Sequence, residues 1–104
     1  MPTVYGAVVS NDGSKFIAVF MVGKIQYTFT GTLKPQAAVA FTSAGASLTY
    51  ANSDELSGVH SFSGTVGVDT LELNLDNKVK IEGKLDTPLQ VAVVPNGAGT
   101  WATA

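Results

Sequence analysis

The chain has 104 residues, 45% of them hydrophobic and 13% charged, with a net charge of −2 and no cysteine. That length suits one domain, residues 1–104, with its own core, and the composition is too apolar for a disordered chain. Six scattered basic residues exclude a phosphate-neutralising nucleic-acid surface, zero cysteines exclude a disulfide framework and thiol chemistry, and no run reaches the roughly 18 apolar residues of a membrane helix.

The N-terminus lacks the basic and apolar regions of a signal peptide. The chain therefore stays inside the cell, leaves by another route, or is present in mature form, and the sequence assigns no compartment. No window shows a 3.6-residue apolar repeat, so little or no helix is expected. Short runs of Val, Ile, Thr, Tyr and Phe recur about every ten residues, which reads as an antiparallel β-sandwich or flattened barrel of about nine strands.

The first three strands form a meander. Asn11-Asp12-Gly13-Ser14 contains Asp-Gly, a strong hairpin signal. With Asp12-Gly13 as the loop, Val9 opposes Phe16, Ala7 opposes Ala18 and Tyr5 opposes Phe20. At Val22-Gly23-Lys24-Ile25 the glycine suits a two-residue turn whose first position needs φ > 0. Val22 then faces Ile25, Phe20 faces Tyr27 and Ala18 faces Phe29, all on one side, because strand side chains alternate. The reverse side collects Val4, Val8, Ile17, Val19 and Met21, a second apolar face. Either the chain's own fold covers this face, or it meets a partner subunit, a lipid or an apolar ligand.

After a connection at Thr32-Leu33-Lys34-Pro35, residues 37–42 and 46–51 read as weaker strands turning at Ser43-Ala44-Gly45, with Val39 and Phe41 opposite Tyr50 and Leu48. Residues 52–55 are a polar loop, with one short helical turn capped by Ser53 or Asp54 as the alternative. Residues 57–68 carry three glycines and read as one long, bent strand with His60, Phe62, Val66 and Val68 on one face. Residues 71–85 alternate cleanly: Leu71, Leu73, Leu75, Val79, Ile81 and Leu85 point inward, around a three-residue loop with Asn77 or Lys78 left-handed. Pro88 begins a last strand over 89–94, Pro95-Asn96-Gly97 is a turn, and Gly99-Thr100-Trp101 ends the chain.

The chemistry on offer is thin. His60 is the one histidine, so an imidazole-built metal site is impossible within one chain. No Gly-x-Ser-x-Gly occurs, and the paired acids fall on a wet hairpin face or a loop. No cofactor or metal is expected, an enzyme is the less favoured reading, and no motif names a family. The leading expectation is a non-catalytic binding module that recognises a carbohydrate or another surface-displayed ligand. Its loop residues are Tyr50, Asp54, Glu55, Asn96 and Trp101, with Trp101 either a core plug or an exposed platform. The alternatives are a barrel holding an apolar molecule or lipid, and a homo-oligomer formed through Val4, Val8, Ile17, Val19 and Met21.

Overall fold

Gly23 adopts φ +64° at the head of its loop, as a two-residue turn with glycine first requires. Strands β2 (Lys15–Val22) and β3 (Ile25–Thr32) pair in the expected register, Phe20 opposite Tyr27 and Ala18 opposite Phe29. A computed structural model describes residues 2–37 and 39–103. The two strands belong to a closed barrel of eight antiparallel strands, where about nine were expected.

Strand β1 (Thr3–Ser10) pairs with β2 one residue away from the expected register, with Gly6 opposite Phe20 and Val8 opposite Ala18. The cause is local. Asp12 Oδ1 accepts from the backbone N–H of Ser14 (2.8 Å) and Lys15 (3.0 Å). Ser10 Oγ donates to the Lys15 carbonyl (2.6 Å) and accepts from the Gly13 N–H (2.9 Å). These side-chain bonds hold a loop longer than the two-residue turn that Asp-Gly suggests. A one-residue slip turns a strand over. Val4 and Val8 therefore face the interior, and Tyr5, Ala7 and Val9 share the outside with Ile17, Val19 and Met21.

Strand β4 (Phe41–Thr49) runs straight through Ser43-Ala44-Gly45, where the sequence suggests a turn. Against β1, Gly6 pairs with Ala46 and Val8 with Ser43, so β4 carries one extra residue, a bulge. The buried positions change parity across it, from Phe41 and Ser43 to Ala46 and Leu48. Of the strand expected over 37–42, only Phe41 and Thr42 are strand; Ala38 lies outside the described residues. Asn52 caps a single 3-10 turn, Ser53–Glu55, in place of the expected loop.

Strand β5 (Val59–Val66) buries Phe62 and Val66. Strands β6 (Thr70–Leu75) and β7 (Lys80–Lys84) follow the alternation, with Leu73 opposite Ile81 and Lys78 left-handed at φ 70°. The expected strand over 89–94 is irregular and joins the sheet only at the Val93–Val66 bridge. The last strand, β8 (Asn96–Thr103), instead begins within the expected Pro95-Asn96-Gly97 turn and runs on through Gly99. A Cβ on Gly99 would lie 2.5 Å from the Phe29 ring, so glycine there makes room for an aromatic core.

Around the barrel the order is β1-β2-β3-β8-β5-β6-β7-β4. Each half of the chain lays its fourth strand beside its first, β4 beside β1 and β8 beside β5, the Greek-key order. The two keys close on each other along the β3–β8 and β4–β7 seams. Phe16, Phe29 and Phe62 meet in the interior with ring centroids 5.4 to 6.2 Å apart. An eight-stranded barrel encloses little more room than such side chains fill.

Candidate functional site

The five loop residues expected to form a ligand site do not come together. Asn96 stands at the end of the barrel that carries the β1–β2 loop, bonded through its backbone to Lys34. Asp54 and Glu55 lie at the opposite end, where the Glu55 carboxylate accepts from the Ala51 (2.9 Å) and Asn52 (3.1 Å) N–H groups. That carboxylate completes a capping box. Tyr50 and Trp101 are 7% and 5% exposed. The Trp101 ring packs on Phe29 at 4.9 Å between centroids, with no partner for its buried N–H among the described residues. Trp101 is therefore a core plug and offers no external platform. Short, glycine-rich surroundings resemble loops in sequence, but here they are strand.

His60 sits at the mouth of the barrel where β5 begins. Its Nδ1 lies 2.7 Å from Asp76 Oδ1, and its Nε2 lies 2.7 Å from the Ser57 carbonyl oxygen. Both oxygens accept, so only the imidazolium, with two N–H donors, satisfies both bonds. Asp76 Oδ2 also accepts from the Ser61 N–H and hydroxyl. With both ring nitrogens held, the histidine has no free lone pair to activate a nucleophile. It clasps the start of β5 to the β6–β7 turn. Among the described residues, no group of three or more His, Cys, Asp and Glu side chains could hold a metal ion.

The clasp has a defined pH signature. The Asp76 hydrogen bond raises the His60 pKa above its ordinary 6.5, against a smaller effect of burial, with the Ser57 carbonyl adding to the rise. The His60 hydrogen bond in turn lowers the Asp76 pKa below 3.8. The histidine's contribution is complete below pH 6.5 and is lost as pH rises through the raised value. The aspartate's is complete above pH 3.8 and is lost as pH falls through the lowered one. Melting temperatures measured against pH should therefore show the clasp fully formed between those limits and weakening on the alkaline side. His60→Gln should remove that alkaline decline; an identical decline in the variant would show that another group causes it.

The feature that has no internal purpose is the outer wall of β1 and β2. Tyr5 is 73% exposed, Met21 49% and Ile17 47%, with Val9 exposed and Ala7 and Val19 half-buried between them. Lys15, at the end of β2, is the one charge that these two strands turn outward. The contrast is the β6–β7 wall, where Glu72, Lys80 and Glu82 alternate with buried leucine and isoleucine. The expected second apolar face thus exists with a changed membership: Ile17, Val19 and Met21 belong to it, Val4 and Val8 do not, and Tyr5, Ala7 and Val9 take their place. The alternation of β1 could not reveal this, because both of its faces are apolar. Comparison with protein-family models, with curated proteins and with solved structures finds no match to this chain.

Proposed function

We propose that the protein is a non-catalytic interaction module that docks a second copy of itself through the β1–β2 wall. The observation that carries this reading is the nearly uncharged apolar face of Tyr5, Ala7, Val9, Ile17, Val19 and Met21 on the outside of a closed barrel. Aromatic rings crowd the barrel interior, which leaves the outer surface for recognition.

A second copy fits the wall's chemistry. In a two-fold contact the same patch meets itself, so any charge near the axis would face its own kind; this wall has none at its centre. Half-buried Ala7 and Val19 lie opposite one another there, flanked by the bulkier Ile17, Met21 and Tyr5. The net charge of −2 opposes association only weakly. A patch of two strands by eight residues measures on the order of 250 Å² in plane, or about 500 Å² counted over both copies, which makes the contact smaller than standard specific interfaces and weak.

Sedimentation analysis over a concentration series should show a weak monomer–dimer equilibrium, with a dissociation constant of roughly hundreds of micromolar. Val19→Glu brings two carboxylates together at the axis and should weaken association about a hundredfold, with little change in melting temperature. A wild-type chain that stays monomeric into the millimolar range overturns the proposal. So does a Val19→Glu dimer of undiminished strength.

A further inference from the structure

A transverse row of side chains crosses four strands on the outside of the barrel. Tyr5 of β1 lies opposite Ser47 of β4, Ser47 opposite Glu82 of β7, and Glu82 opposite Glu72 of β6. At the usual strand spacing the row is about 14 Å long. It lines an open cleft of about 330 Å³ that also takes in Gly45 and Thr70. The cleft has a structural origin. Strand β4 bulges at Ala44-Gly45, pairs with β7 over only three residues, and leaves Gly45 without a side chain along the trough.

The two carboxylates decide the ligand class. Glu72 and Glu82 face each other directly, an arrangement that is unfavourable for like charges. Lys80 Nζ stands between them, 3.7 Å from Glu72 Oε2 and 3.9 Å from Glu82 Oε2. The Asn74 amide donates to Glu72 Oε1 at 3.1 Å. The place a bound cation would take is therefore held by the chain's own ammonium group. What remains along the cleft is the pair of carboxylates, backed by the Lys80 ammonium and the Asn74 amide beyond its lining, and the Ser47 hydroxyl, which donates to the Glu82 carbonyl at 3.3 Å. At the other end stands the largely exposed ring of Tyr5. An aromatic face beside a rim of mixed hydrogen-bonding groups matches a molecule with one apolar C–H face and a ring of hydroxyls.

We infer that this cleft binds a neutral carbohydrate, with a pyranose ring stacked on Tyr5 and its hydroxyls donating to the Glu82 and Glu72 carboxylates. The cleft is open and buries little of such a ligand, so affinity falls in roughly the millimolar range. The site shares Tyr5 with the self-docking wall, so a sugar and a second copy compete for that ring, and sugar binding is read on a monomeric variant.

The test is an amide-shift titration of the full chain with the methyl glycosides of glucose, galactose and mannose, with cellotriose and maltotriose, and with tetramethylammonium as the cationic probe. At least one neutral sugar should give saturable shifts centred on Tyr5, Ser47, Glu72 and Glu82. Glu82→Gln, which keeps the side-chain shape, should weaken binding about tenfold, and Tyr5→Ala should abolish it. Val19→Glu supplies a monomeric background, so a failure of self-docking and a failure of sugar binding are read on separate variants. The inference is overturned by no saturable shift with any of the sugars, by shifts that survive both cleft substitutions, or by a response to tetramethylammonium alone.

Discussion

Phe29→Ala is expected to destabilise the protein by about 3–5 kcal/mol, the usual cost of deleting a buried aromatic ring. Phe29 is fully buried. Its ring meets Phe16 at 6.0 Å, Phe62 at 6.2 Å and Trp101 at 4.9 Å, and so joins β2, β3, β5 and β8 across the barrel. Gly99 has no side chain beneath the ring, so little is available to move in and fill the space. A domain of this size holds only about 5–15 kcal/mol in total, and each kcal/mol moves the melting temperature by about 4–8 °C. A fall of at least about 12 °C should appear in a thermal melt. Val94→Ala, at an exposed position between strands, should stay within about 0.5 kcal/mol. Equal losses in the two variants would refute the placement of Phe29 at the centre of the core.

Gly64→Ala should be nearly as damaging, for the opposite reason. Gly64 on β5 pairs with Leu73 on β6. A Cβ there would press on the backbone oxygen of Glu72 and lie 3.0 Å from the Leu73 Cα. Backbone cannot swing aside as a side-chain tip can, so the two strands must part and their ladder weaken. Overpacking of this kind costs about 1–3 kcal/mol and occasionally more, and the upper part of that range is expected here. Gly45→Ala is the matched control. The space around a Cβ at Gly45 is open, and chemical denaturation should find it within about 0.5 kcal/mol of wild type. Were the two glycines to tolerate alanine equally, close strand approach at Gly64 would not be the reason for its residue type.

The two hairpins that follow the alternation show what was legible in advance. Gly23-Lys24 closes β2 onto β3, and Asp76-Asn77-Lys78 closes β6 onto β7, both in the register that the apolar pattern demands. In each, one pairing alone keeps the leucines, isoleucines and phenylalanines together, so local chemistry and burial agree. Strand β1 had no such arbiter. With apolar residues on both of its faces, its orientation rested on one loop, and the hydrogen bonds of Ser10 and Asp12 set that loop's length.

The surfaces assigned to function were least visible, because they are assembled from distant parts of the chain. Tyr5, Ser47, Glu72 and Glu82 are neighbours only after β4 has crossed to β1 and β7 has closed on β4. Likewise, Gly97 reads as part of a turn until the Thr32 backbone that needs its space is in place. The sequence by itself determined an all-β chain, two of its hairpins and the apolar excess of its first two strands, since alternation and turn chemistry act over a few residues. Only the tertiary structure decided the closed barrel, the outward face of β1 and the cleft beside Tyr5. Barrel closure joins residues far apart in the chain, and no local preference encodes which strands will meet.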